Sequence, residues 1–179
     1  LPTADAEVSF LQSQTLGDVA MGIIGKQMNY AFARNQDGSL RENVQVLSNG
    51  FPGPEWGQSL TAGVRTDTTA TNGTSVDFGT GTTAFGAVFY LHMISVTGTS
   101  TTVTIQESSD NAVGDPFAAV TGGAFTAVTS AGAPDGQRLL TSLTQNVERY
   151  LRAVTTGTFT NAQFAVVAKR YATANAELG

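Results

Sequence analysis

The sequence predicts an all-β protein, and three observations carry this prediction. The 179 residues include 26 Thr and 20 Gly, residue types that favour pleated sheets and turns respectively. Leu, Glu and Lys, which favour exposed helices, are sparse. Short stretches in which every second residue is apolar recur along the chain, separated by turns rich in Gly, Asn and Asp.

Composition also narrows the classes of function. Charged residues make up 13% of the chain, against about 25% in typical domains, which indicates a surface partly covered by neighbouring molecules. The net charge is −5 and no run of Lys or Arg occurs, so the basic surface of a nucleic-acid binder is missing. There is no Cys for a disulfide or a thiolate metal site, and no apolar run of membrane-spanning length.

The first long apolar segment, residues 17–33, is ambiguous between helix and strand. Its apolar residues are dense enough for a buried helix. Gly22 and Gly25 oppose a helix, because each would cost about 1 kcal/mol relative to Ala. From Lys26 onward the alternation is two-fold, so we predict a strand.

This segment leads into a predicted β-hairpin. Residues 35–38 form an Asn-Gln-Asp-Gly turn signal, and residues 40–47 alternate again. We therefore predict one long β-hairpin over residues 26–48. Residues 7–11 predict a separate strand before it.

A cluster of Pro and Gly at residues 49–54 cannot continue a strand and predicts a domain boundary. We expect a β-rich domain over residues 1–58, a linker over 59–73 and a β-sandwich domain over 74–179. The chain begins with Leu1 and enters apolar alternation almost at once, so we expect a processed or truncated start to the first domain.

The second half centres on residues 85–110. They predict two strands, at 87–96 and 102–107, joined by a Gly/Ser/Thr turn. The first of these is apolar on both faces, as in a central strand or one that faces a partner. The last two strands, 148–154 and 163–169, are joined by a second Gly/Thr segment and are expected to pair with each other.

Eight short strands at this spacing fit an antiparallel β-sandwich of the jelly-roll or immunoglobulin-like kind. The predicted strands are 74–78, 87–96, 102–107, 117–120, 125–128, 137–142, 148–154 and 163–169.

No catalytic constellation is visible. His92 is the only histidine; it lies in the most apolar strand, which favours a packed side chain over a Ser-His-Asp device or a metal ligand. The carboxylates of Asp67, Asp77, Asp110 and Asp115 sit among turn residues, which favours turn formation over a glycosidase pair.

Two weaker alternatives remain open. Oxygen ligands cluster at residues 109–115, which allows a calcium site, although the spaced acidic pattern of a calcium loop is missing. Trp56, the only tryptophan, either caps the edge of a core or anchors a partner. The sequence thus assigns no catalytic, cofactor-binding or metal-binding residue, and we expect no enzyme activity.

Several segments together resemble the C-terminal two-thirds of tail tube (major tail) proteins of long, non-contractile-tailed phages of actinobacteria. The most telling pair is RTDTTATNGTS followed by the SSDN strand and turn. The other segments are LPTADAEVSFL, GKQMNYAFARNQDGSLRENVQVLSNGF, EWGQSLTAGVRTDTTATNGTSVDFG, FYLHMISVTGTSTTVTIQESSDN, VTGGAFTAVTSAGAPDGQRLLTS and ERYLRAVTTGTFTNAQFAVVAKRY.

The resemblance implies a virion protein with no cofactor, in which residues 1–58 are the β-hairpin-rich part of a tube-type β-barrel domain and residues 74–179 are an outer β-sandwich decoration domain. Its expected partners are copies of itself in stacked hexameric rings, other tail proteins, and DNA that passes without specific binding; a membrane is not among them. It would be found in the phage tail, and in the host cytoplasm during assembly. The alternatives are a carbohydrate-binding or adhesion β-sandwich, or a capsid decoration protein.

Overall fold

The computed structural model describes residues 4–48, 53–79 and 81–174, and within these the side chains outside 27–32 and 41–44. The described residues contain strands and no helix, so the all-β prediction is confirmed. The strands form one open, sandwich-like antiparallel sheet. They are β1 Ala6–Leu11, β2 Val19–Arg34, β3 Leu40–Ser48, β4 Glu55–Ser59, β5 Arg65–Asp67, β6 Thr71–Asn72, β7 Val76–Asp77, β8 Ala87–Ser108, β9 Ala118–Ala124, β10 Val128–Thr129, β11 Asp135–Leu140 and β12 Tyr150–Arg170.

The centre of the sheet is one long ladder between β8 and β12. It pairs Ala87 with Arg170 at one end and Ser108 with Tyr150 at the other. The predicted division of β8 into strands 87–96 and 102–107 is therefore wrong, since a single strand of 22 residues spans both.

The prediction that 148–154 and 163–169 pair with each other is also wrong. Both belong to β12, and each half pairs with β8 instead. Gly98 and Gly157 explain the error: their φ angles of 132° and 123° lie in the region that favours glycine. The register shifts on β12 begin next to them, so the Gly/Thr segments form β-bulges in a continuous ladder where turns were expected.

The shorter strands lie on either side of this ladder. On the β8 side are β9, β10 and β11; on the β12 side are β4, β5, β6 and β7. The predicted strand at 125–128 is reduced to Val128–Thr129 in β10, and the predicted strand at 74–78 is reduced to Val76–Asp77 in β7.

Alternation along β8 divides the apolar residues between two cores. Phe89 and Leu91 belong to the larger core, together with Phe164 of β12. Val88 and Tyr90, on the opposite face of β8, belong to the smaller core. A strand covered on both faces was predicted from this alternation, and the burial confirms it.

The N-terminal strands cover the smaller core. Ala20 is buried there, and Leu11 and Ile24 pack against it. β4 joins this part to the rest of the sheet, because it pairs with β2 along one edge and with β12 along the other. The division at residues 58 and 73 stays a prediction, and residues 49–52 of the expected break lie outside the described residues.

Candidate assembly surface

The hairpin predicted at residues 26–48 is confirmed, and we call it the arm. β2 pairs with β3 from Gly25 opposite Ser48 to Arg34 opposite Leu40. The turn is closed by the N–H of Gly38, which donates to the carbonyl of Asn35 at 3.0 Å. At about 3.3 Å per residue, nine residues of strand make the arm about 30 Å long.

Most of the arm's length has open strand edges. β1 pairs with β2 only as far as Gly25, so Lys26–Arg34 has no strand partner on that edge within the described chain. Among the described residues, β3 pairs with β2 alone, which leaves its outer edge open as well. Open edges present rows of N–H and C=O groups that a strand of another molecule can pair with.

Apolar side chains are exposed at both ends of the arm and beside its base. Leu40 is 60% exposed and Leu47 is 48% exposed. Near the base, Phe10 of β1 lies opposite Met21 of β2, which lies opposite Trp56 of β4. Residues opposite one another in an antiparallel sheet point to the same face, so these three form an outward apolar row.

The row is open to solvent at both ends, because Phe10 is 52% exposed and Trp56 is 54% exposed. This exposure of Trp56 fits its interpretation as an anchor for a partner better than its interpretation as a cap on the edge of a core. An exposed row of large apolar side chains is typical of surfaces that contact another molecule.

Beneath the arm base is a group of charged and hydroxyl side chains that we call the buried cluster: Glu55, Tyr90, Arg138 and Tyr171. Glu55 is 1% exposed. Arg138 donates from Nε to Oε2 at 3.0 Å and from Nη2 to Oε1 at 3.1 Å. The Tyr171 hydroxyl donates to Oε1 at 2.5 Å, and the Tyr90 hydroxyl donates to Oε2.

Both carboxylate oxygens of Glu55 are therefore satisfied by donors from three parts of the sheet. Burial, and next the hydrogen bond to Glu55, raise the pKa of Tyr90 well above its ordinary value, which keeps its hydroxyl a donor. Burial is the largest single influence and lowers the pKa of Arg138, but the charge of Glu55 and the contacts with Tyr90 and Glu55 together outweigh it, so the pKa of Arg138 ends above its usual value.

Sequence reasoning did not identify the buried cluster as a unit. Glu55 and Arg138 are 83 residues apart, and each stands in a short polar stretch that resembles a solvent-exposed turn or edge. The one available signal was the alternation in β4, where Glu55 and Trp56 must point to opposite faces.

His92 packs at the contact between β8 and β1, in the role that the sequence favoured. Its Nε2 lies 2.8 Å from the hydroxyl of Ser9. Burial lowers the pKa of His92, and the nearby charge of Glu7 opposes this in part. A cavity of about 340 Å³ lies beside these residues, between β1 and the start of β11.

The loop at residues 109–115 hydrogen-bonds to itself. Asp110 Oδ1 accepts from the N–H of Ala112 at 2.8 Å, and Asp115 Oδ2 accepts from the N–H of Ser109 at 2.6 Å. These contacts are those of turn-forming side chains. Glu148 lies near this loop, and burial followed by the charge of Asp115 raises the pKa of Glu148.

The other two predicted carboxylates form ion pairs. Asp67 is buried and accepts two hydrogen bonds from Arg65, at 2.8 and 2.6 Å. Asp77 pairs with Arg149 on the surface, and this hydrogen bond lowers the pKa of Asp77 to about 2.

Within the described chain, no three His, Cys, Asp or Glu side chains are grouped so that they could hold a metal ion. No helix long and apolar enough to cross a membrane occurs among the described residues either. The molecule is thus defined as an all-β, sandwich-like protein with a projecting arm. No known protein family matches the chain, and no curated protein is significantly similar to it.

Proposed function

We propose that this chain is a self-assembling structural subunit of a phage tail tube, and that the arm pairs with neighbouring copies. The observation that carries the proposal is the pair of open strand edges along the arm. A two-stranded hairpin alone is marginally stable in water. Pairing with a second molecule would supply backbone hydrogen bonds to these edges.

The exposed apolar row and the low charge support the same proposal. Phe10, Met21 and Trp56 form a row beside the arm base, and only 13% of the residues are charged. Contacts of one patch with a different patch on the next copy build rings when the rotation closes. Such contacts would cover apolar surface that a solitary molecule leaves in water.

The tail tube part of the proposal is supported by the resemblance of the sequence segments, with stacked hexameric rings as the expected assembly. The net charge of −5 agrees with a conduit for DNA, because carboxylates repel phosphate and so keep the passing duplex from sticking.

A carbohydrate-binding module is the less favoured function. Such modules bind sugars with exposed aromatic side chains, and Tyr90 and Tyr171 are 2% and 4% exposed. Phe10 and Trp56 are exposed, but they lie on an outward sheet face beside the arm.

The test compares the full chain with a variant whose arm is shortened. Replacing residues 28–45 by Asn-Gly leaves Gln27 and Val46, which pair in the native ladder, joined by a two-residue hairpin turn. We expect the full chain to form rings or filaments with six-fold symmetry in electron micrographs. The shortened variant is expected to stay monomeric at the same concentration.

Thermal unfolding is the control, and the two proteins are expected to unfold within a few degrees of each other because the sandwich is intact. A full chain that stays monomeric at high concentration contradicts the proposal, and so does a shortened variant that assembles equally well. A monomeric full chain that binds in a glycan array would favour the adhesion alternative.

A further inference from the structure

We propose that the buried cluster positions the arm, so that Tyr90, Tyr171 and Arg138 are positioning residues for assembly through their contacts with Glu55. The expected effect on assembly rests on the proposed function. The claim that the cluster holds the arm base in place rests on the structure alone.

Both legs of the arm lie within a few residues of the cluster along the chain. On one leg, Lys26 follows four residues after Gly22, which pairs with Glu55. On the other leg, β3 ends at Ser48 and the chain reaches Glu55 seven residues later. A strand pair transmits its orientation along its ladder, so whatever fixes Gly22 and Glu55 also fixes the direction in which the arm leaves the sandwich.

The first contact that fixes this pair is steric. A Cβ atom added to Gly22 would overlap the ring of Tyr90, which shows that the β2 backbone lies directly on that ring. Tyr90 itself is 2% exposed and belongs to β8, the central strand. The arm base therefore lies against a rigid part of the core.

The second contact is the set of donors to Glu55. They come from β8, from β11 and from Tyr171, the residue that follows β12, so tilting β4 away from any one of them breaks a hydrogen bond to a buried carboxylate. Hydrogen bonds to charged groups in a buried site are stronger than ordinary ones, and an unmade bond there is costly. The arrangement resists rotation of the arm base in three directions.

Tyr171 carries the hydroxyl donor whose removal is expected to disturb the backbone least. Its backbone N–H donates to the carbonyl of Gly86 at 3.0 Å, which holds the chain in place independently of the side chain. Its hydroxyl lies at the far end of the ring and reaches Glu55 across 116 positions of sequence. Tyr171→Phe removes the hydrogen bond of the hydroxyl to Glu55 and keeps the ring.

A matched control lies at the opposite end of the sheet. The hydroxyl of Thr155 is buried and donates to Asp67 Oδ2 at 2.6 Å. Thr155→Val also removes a buried hydrogen bond to a carboxylate, together with the contacts of this hydroxyl with the N–H and the carbonyl of Thr71. Thr155 lies remote from β2 and β4 in the ladder, so the larger loss of contacts makes it a stringent control.

The experiment uses the full chain and measures amide hydrogen exchange together with assembly followed by light scattering. For Tyr171→Phe we expect about tenfold faster exchange in residues 19–25 and 55–59, as for one lost bond to a charged acceptor. Assembly is expected to slow by a similar factor. The fluorescence of Trp56, next to Glu55, is expected to shift. Thr155→Val is expected to change none of these, although it lowers the melting temperature by at least as much as Tyr171→Phe does, because its hydroxyl has contacts with both Asp67 and Thr71.

Equal effects of the two substitutions on exchange at 19–25 and on assembly would overturn the inference. If Tyr171→Phe does not fold, Tyr90→Phe removes another donor to the same carboxylate and is read out in the same way. If the shortened-arm variant assembles normally, the proposed function fails, and the exchange and fluorescence data still decide whether the cluster holds the arm base.

Discussion

The arm and the β8–β12 ladder are both antiparallel strand pairs, yet they differ in what surrounds them. The ladder is covered by apolar side chains, with Phe89 and Leu91 completely buried. The arm has open edges, and Leu40 at its end is 60% exposed. The two regions show that alternation specifies a strand, while the elements packed against it decide whether that strand stabilises the fold or is available to a partner.

The largest expected effect comes from truncating a core side chain of the ladder. Phe164 is completely buried in the larger core, and Phe164→Ala is expected to lower the free energy of unfolding by about 3–5 kcal/mol. Leu40→Ala in the arm is the matched control and is expected to change it by less than about 0.5 kcal/mol. Urea unfolding measures both. A comparable loss in the two variants would mean that the arm packs on the sandwich after all.

A smaller effect is expected where a glycine occupies a strained position in each region. Gly157 has a φ of 123°, and an added Cβ would overlap the carbonyl oxygen of Ser100 across the ladder. Gly157→Ala is expected to cost about 1–3 kcal/mol. Gly38 in the arm turn has a φ of 83° but no atom within 4 Å of an added Cβ. Gly38→Ala is therefore expected to cost less, about 1 kcal/mol from backbone strain alone.

Thermal or urea unfolding of the two alanine variants distinguishes overlap from strain. The expected order is a larger loss for Gly157→Ala than for Gly38→Ala. The reverse order would show that the bulges in the ladder are adaptable, and that the continuity of β12 does not depend on glycine at that position.

These glycines also mark where prediction from sequence failed. The all-β class, the hairpin at residues 26–48 and the two covered faces of β8 follow from local alternation, and the structure confirms them. The segments around Gly98 and Gly157 have the composition of turns. They form bulges because each lies against the other in the ladder, about 60 positions away in sequence, and that information is not local.

The candidate assembly surface was predictable to a similar extent. The arm was visible as a hairpin, and Trp56 was visible as an unusual residue after a break. The buried cluster was not visible, because a lone Glu or Arg in a polar stretch is most often solvated. Only the topology, which brings β4, β8, β11 and the end of β12 together, converts Glu55 and Arg138 into a buried pair.

The smallest effect expected is a pH dependence that arises in the sandwich and not in the arm. His92 is the only histidine of the chain, and burial lowers its pKa in the folded protein. Below about pH 6.5 the unfolded chain therefore binds a proton that the folded chain does not, so stability falls as the pH falls. The slope is expected to stay below the roughly 1.4 kcal/mol per pH unit that one fully coupled group can give.

Urea unfolding at pH 7 and pH 5 tests this, with His92→Gln as the comparison, because glutamine keeps a polar group beside Ser9. The wild-type chain is expected to lose more stability than His92→Gln over this interval. The shortened-arm variant, which keeps His92 and loses no histidine with the arm, is expected to follow the wild type. An equal loss of stability between pH 7 and pH 5 in the wild type and in His92→Gln would show that the contact between β1 and β8 tolerates a charged imidazole. A shortened-arm variant that departs from the wild type would place acid sensitivity in the arm, against the division between the two regions.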